Sequence, residues 1–175
     1  MIDITWYGRG GQGAFTASRV LGAAAMLSGY KSLSFPSFGP ERRGAPIRAF
    51  TKISNKEISD RSIPPKSDYI LVLDDSLYDP ILKESLKEGG ILIVNTQDNT
   101  LGQKEKRVVT KDISSLALQV LGRPIVNIGV IGVLTSYFKD IKDEYLFDAI
   151  REYMPEKIVE KNIELLNRVI SKSRI

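Results

Sequence analysis

Cysteine and histidine are both absent from the 175 residues. Without thiolate or imidazole, the chain is not expected to hold an iron–sulfur cluster or a structural zinc, and no metal site is expected on it. Cysteine nucleophiles, Ser–His pairs and histidine general bases are excluded for the same reason. Long apolar runs are missing too. The longest uncharged stretch, Pro124 to Phe138, stops at Arg123 and Lys139, short of the roughly 18 residues that a membrane helix needs. The opening MIDITWYG has neither the basic nor the apolar region of a signal peptide. A soluble, cytoplasmic protein is expected, with no membrane contact.

Acidic residues are absent from Ile4 to Pro40, and Glu41 is the one acid between residues 4 and 52. Seven bases stand against it: Arg9, Arg19, Lys31, Arg42, Arg43, Arg48 and Lys52. The other residues carry eighteen bases and twenty acids, so the formal charge of +4 is concentrated in the first third. Such a field suits an anionic ligand or an acidic partner surface. Nucleic acid is not expected, because no dense Lys/Arg run or basic helix face accompanies it.

Within that basic region lies WYGRGGQGAFTASRVL. Ile2 to Tyr7 reads as a strand and Ala14 to Ser28 as a helix, with Ala17, Val20, Leu21, Ala24 and Ala25 on one face and Gly29 as a stop signal. Gly8, Arg9, Gly10, Gly11, Gln12 and Gly13 therefore join a strand to a helix, and Gly8, Gly10 and Gly13 fit G-x-G-x-x-G. In a dinucleotide site these glycines allow a tight turn, and the helix N-terminus receives a pyrophosphate. The acid expected roughly 20 residues on, for the adenine ribose, is missing, since that region reads GYKSLSF. A nicotinamide or flavin site is disfavoured. The loop is either a close-packing turn or a cradle for another phosphate ligand, and Arg9 and Gln12 add donors that a plain turn does not need.

A second constellation follows at Phe38-Gly39-Pro40-Glu41-Arg42-Arg43-Gly44-Ala45-Pro46. Arg42 and Arg43 could present two guanidinium forks to a phosphate or carboxylate, or form a solvated charge pair. The uncharged, aromatic stretch Leu33 to Pro40 beside them is expected as an exposed loop that a partner covers. Further strands are expected at 32–35, 47–54, 68–73, 90–94 and 106–110. Helices are expected at 76–87, 114–121, 127–138, 143–153 and 155–171, the last with Val159, Ile163, Leu166 and Ile170 on one face. The alternation predicts an α/β fold in one domain over residues 1–175: an open, mostly parallel Rossmann-like sheet with helices on both faces and a helical C-terminal tail.

GRGGQGAFTASRVLG followed by FPSFGPERRGAPIRAFTKIS resembles the γ subunits of the pyruvate:ferredoxin oxidoreductases (pyruvate synthases), in the 2-oxoacid:ferredoxin oxidoreductase family. DYILVLDDSL, GGILIVNT and LGRPIVNIGVIGVL extend the resemblance over essentially the whole chain. The resemblance implies an enzyme subunit that is not catalytic alone, working with α, β and δ subunits and passing electrons through the complex to ferredoxin. It implies thiamine diphosphate, Mg2+ and 4Fe-4S clusters on the other chains, and coenzyme A (CoA) as co-substrate near this one. Gly8 to Gly13, Arg42, Arg43 and Asn127, the last within GRPIVN, are the implied CoA-binding positions; no catalytic residue is expected. FGPERRGAP is more similar to the pyruvate and 2-oxoisovalerate branches than to the 2-oxoglutarate one, and an indolepyruvate enzyme is a further alternative. A stand-alone phosphate- or nucleotide-binding module is the reading from another class.

Overall fold

A computed structural model describes residues 1–37, 44–98, 100–103 and 106–173 of the chain. Six strands form one sheet: β1 (Ile2–Arg9), β2 (Lys31–Pro36), β3 (Pro46–Ser54), β4 (Ser67–Val72), β5 (Leu86–Asn95) and β6 (Val108–Lys111). Their spatial order is β2-β3-β1-β4-β5-β6. β1, β4, β5 and β6 pair in parallel, whereas β3 runs antiparallel to both β1 and β2. The sheet is open and mostly parallel, with one reversed strand near an edge.

Alternation along the strands divides the apolar side chains between two faces. Ile4, Trp6, Leu71 and Ile93 are buried in the main core. That core also contains α1 (Ala14–Leu27), α3 (Ile113–Leu121), α4 (Asn127–Leu134), α5 (Asp143–Tyr153) and α6 (Glu156–Ser173). Trp6 is fully buried, and its indole N–H donates to Thr51 Oγ1 at 3.0 Å. Truncating an aromatic core side chain to alanine costs about 3 to 5 kcal/mol. α4 is buried along its whole length. An all-apolar helix is stable in water only when it is surrounded in this way. The C-terminal α6 packs on α4 and α3, so the tail completes the core.

The second face carries Ile70, Val72, Leu92 and Val94, covered by Leu77 and Leu82 from two short 3-10 helices, Asp75–Leu77 and Pro80–Ser85, and by Tyr78 between them. A single helix over 76–87 was the sequence expectation, and Pro80 explains the difference. A proline in a helix interior removes a donor and clashes with the preceding turn. Here Asp79 caps a new turn instead, its side chain accepting from Ile81 N. β5 starts at Leu86, four residues before the expected strand, and α4 ends at Leu134, four residues short of the expected helix end. α2 (Thr100–Gln103) is a short turn against β6.

Candidate functional site

β1 ends at Arg9 and α1 begins at Ala14, so the glycine loop lies at the carboxyl end of a central strand. In open α/β sheets this is the end at which ligands collect. Gly13 is the N-cap of α1, with φ 79° and ψ 26°, a left-handed conformation natural to glycine. A Cβ at Gly13 would lie 2.5 Å from Asn127 Nδ2. Asn127, at the start of α4, donates from that nitrogen to the Gly13 carbonyl at 3.3 Å. Its Oδ1 is buried without a partner among the described residues. Gly8 to Gly13 and Asn127, distant in sequence, therefore meet.

Two further contacts fix the loop from outside. Gly10 N donates to Ala45 O at 2.8 Å, and Gly44 N donates to Gly10 O at 3.1 Å. The described end of the Phe38–Pro46 segment is thus hydrogen-bonded to the glycine loop. Arg42 and Arg43 themselves lie outside the described residues.

Arg9 and Gln12 use their side chains within the chain. Gln12 Oε1 accepts from Arg9 N at 2.7 Å, and Gln12 Nε2 donates to Asp74 Oδ2 at 2.8 Å. The Arg9 guanidinium reaches Gly44 O at 3.1 Å, Ser76 Oγ at 2.7 Å and Asp74 Oδ2 at 3.3 Å. Ser76 donates to Asp74 through its hydroxyl, and through its backbone N–H at 3.1 Å. Partial burial pushes the Asp74 carboxyl up, but hydrogen bonds from Ser76 and Gln12 and the charge of Arg9 outweigh it and hold it below its ordinary value. Asp74, at the carboxyl end of β4, is the clamp of the loop.

The clamped loop divides two clefts. The first, about 610 Å3, is lined by Gly10, Gly11, Gly13 and the first turn of α1 on one side, and by Pro36, Ser37, Ile47 and Arg48 on the other. α1 has no acid in its first turn and no side-chain cap, so the backbone N–H groups of Ala14, Phe15 and Thr16 are available at this wall. Arg48 is exposed, and its guanidinium lies 5.8 Å from the Phe50 ring centroid. Among the described residues no carboxylate lines this cleft.

The second cleft, about 460 Å3, lies beyond Gln12 and is lined by Asp74, Asp75, Asn95, Thr96, Gln97 and Ser114. Its two carboxylates make it unfavourable for a polyanion. The two clefts thus differ in charge among the described residues: Arg48 and the α1 N-terminus border the first, Asp74 and Asp75 the second.

Arg48, Asp74 and Ser76 were not among the residues singled out from the sequence. Asp-Asp-Ser after an apolar strand is a local signal for the clamp, since aspartate side chains readily cap the next turn. Arg48 belongs to the count of bases, but its place at a cleft is a property of β3 pairing. Among the described residues no group of three or more acidic side chains is arranged to hold a metal, and no helix is long and apolar enough to cross a membrane.

Comparison with known proteins shows what the chain resembles. The sequence profile of the family described as "Pyruvate ferredoxin/flavodoxin oxidoreductase" matches residues 3–171. The chain is 37% identical over 182 residues to the pyruvate/ketoisovalerate oxidoreductases common subunit gamma of Pyrococcus furiosus, covering 100% of this chain and 98% of that protein. It is 41% identical over 165 residues to pyruvate synthase subunit PorC of Methanothermobacter marburgensis, covering 94% and 93% of the two. The crystal structure of pyruvate oxidoreductase subunit PORC from Thermotoga maritima superimposes with a TM-score of 0.82 at 32% identity, over 97% of this chain and 95% of that one.

Proposed function

The chain belongs to the pyruvate ferredoxin/flavodoxin oxidoreductase family, and from that premise we propose that residues 1–175 act as one γ-type domain of a cytoplasmic pyruvate synthase. In the overall reaction pyruvate, CoA and oxidised ferredoxin give acetyl-CoA, carbon dioxide and reduced ferredoxin. A γ subunit shared between pyruvate and ketoisovalerate enzymes, as the name of the Pyrococcus furiosus relative states for that protein, fits a chain whose part lies away from the 2-oxoacid carbon.

The donor set supports a division of labour. With no Cys or His in the sequence, this chain lacks the ligands of a 4Fe-4S cluster. The clusters, with thiamine diphosphate and Mg2+, are assigned to α, β and δ subunits, which also hand electrons to ferredoxin. What this chain offers is a place for the phosphates of CoA. The observation that carries the reading is the first cleft: glycine-loop and α1 first-turn amides on one wall, Arg48 on the other, and no carboxylate among the described residues that line it. Backbone N–H groups at a helix N-terminus and a guanidinium are the usual partners of a phosphate. Asp74 supports them indirectly, by holding Arg9 and Gln12 so that the loop keeps its shape.

The purified chain alone is expected to be colourless and without pyruvate-dependent dye reduction. Adding the partner subunits is expected to give CoA-dependent reduction. An absorbance spectrum and a dye assay of the single chain decide it. A bound flavin, or turnover of pyruvate by this chain alone, contradicts the subunit reading.

A further inference from the structure

We propose that the outer edge of β2 is an assembly surface, on which an extended, carboxylate-bearing segment of another oxidoreductase subunit adds a strand to the sheet. The inference rests on reading the chain as a subunit, and goes beyond it by naming the surface and the form of the partner.

β2 is a terminal strand and pairs on one side only, with β3. Just past its end Ser37 N donates to Arg48 O at 2.8 Å. In an antiparallel ladder such hydrogen-bonded pairs alternate with pairs whose backbone groups point away. The register Ser34↔Thr51, Ser32↔Ile53 and Pro36↔Ala49 therefore turns the N–H and C=O of Ser32 and Ser34, and the C=O of Pro36, outward. Among the described residues no backbone partner meets those two N–H groups. The serine side chains do not obstruct them, because Ser34 Oγ turns toward α1 and donates to Ser18 O at 2.7 Å.

Natural sheets guard their edges with short strands, charge, bulges or a covering element. The other edge follows that rule: β6 has four residues, ends in Lys111 and is packed by α2. β2 has six residues and pairs with β3 in unbroken register; its guarding residues, Lys31 and Pro36, stand only at its two ends and leave Ser32 to Phe35 uncharged and able to donate. An edge left open in this way is a template for an added strand.

Charge selects the occupant. A groove of about 440 Å3 runs beside the Lys31 end of the edge, with Met26, Leu33 and Ile58 as apolar lining and Lys31, Glu57 and Arg61 as its charged residues. Lys31 is paired with Glu57 at 3.0 Å. Among the described residues no ion pair holds Arg61, or Arg48 near the other end. Antiparallel pairing with a second copy would set the Lys31 end of one protomer against the Pro36 end of the other, bringing Arg61 toward Arg48. A strand with apolar and acidic side chains from a different chain avoids that repulsion and places a carboxylate near Arg61.

The test is amide-resolved hydrogen exchange on the assembled complex and on the single chain, with the Ser34→Pro and Ser34→Ala variants. Proline is tolerated on an edge whose N–H faces solvent, so Ser34→Pro deletes the docking donor, while Ser34→Ala keeps it. On assembly the Ser32 and Ser34 amides are expected to slow by about a hundredfold. Ser34→Pro is expected to accumulate as free subunit while Ser34→Ala assembles. If the complex forms and both amides exchange as fast as in the single chain, the edge inference is overturned and the subunit reading stands. Protection in the single chain, rising with concentration alongside a dimer, overturns it in favour of a second copy. A chain that associates with no partner subunit at all defeats the subunit reading, and this inference with it.

Discussion

Gly13→Ala is expected to destabilise the isolated chain by about 2 to 5 kcal/mol, the sum of a left-handed backbone penalty and an overpacking term. The first contribution follows from φ 79° at the α1 N-cap. The second follows from the 2.5 Å separation between the added methyl and Asn127 Nδ2, with Asn127 Cγ next at 3.2 Å. Asn127 is only 3% exposed. Gly11→Ala is the internal control. Gly11 has φ 94° but nothing within 4 Å of an added Cβ, so it bears the backbone penalty alone, about 1 to 2 kcal/mol. Denaturant titration of the two variants separates the contributions. Equal losses at both positions would mean that Asn127 does not fix the loop.

Arg48→Gln in the assembled enzyme is expected to raise the apparent KM for CoA roughly tenfold, with little change in kcat at saturating CoA. A charge-assisted bond to phosphate contributes about 1.5 to 3 kcal/mol; solvent at an exposed arginine places the effect near the lower end, and about 1.4 kcal/mol corresponds to tenfold. The increase should be greatest at low salt, because the contact is partly screened. Arg9→Gln should behave differently. Its donors are held by Asp74, Ser76 and Gly44, so its loss loosens the loop and lowers stability rather than removing a direct phosphate contact. Steady-state kinetics with CoA as the varied substrate, at two ionic strengths, give the answer. An unchanged KM for Arg48→Gln would remove Arg48 from the site.

Much of this architecture is legible in the sequence because it is local. The strand–glycine loop–helix unit is written into the switch from alternating residues at Ile2–Tyr7 to the small-residue face of α1, and α6 into the spacing of Val159, Ile163, Leu166 and Ile170. What escapes depends on distant partners. Nothing near Pro46–Ser54 records that β3 runs against β1, since strand direction is set by where the chain returns. Pro80, by contrast, is a local signal that argues against the expected helix over 76–87. The strand expected at 32–35 pairs with β3 as part of Lys31–Pro36, overlapping the first residues of the Leu33–Pro40 stretch expected to meet a partner; Phe38 to Pro40 lie outside the described residues.

The site divides in the same way. Gly8 to Gly13 form the expected turn, but Arg9 and Gln12, expected to offer spare donors, are engaged with Asp74, a residue more than sixty positions away. Arg48 sits in an ordinary strand pattern, Ile47-Arg48-Ala49-Phe50, and becomes a cleft residue only because β2 and β3 border the glycine loop. Arg42 and Arg43, outside the described residues, remain proposed CoA contacts.

Binding of a CoA phosphate by the glycine loop and the first turn of α1, as proposed, would be read residue by residue in the amide hydrogen exchange of the assembled enzyme with and without CoA. The amides of Ala14, Phe15 and Thr16 precede the first intrahelical bond of α1, which Ala17 N makes to Gly13 O, and so exchange freely until a ligand accepts from them. CoA is expected to slow these amides and that of Gly11, leaving the Asn95–Gln97 wall of the second cleft unchanged. Protection confined to Asn95–Gln97, or none on either wall while CoA is bound elsewhere in the complex, would contradict the account.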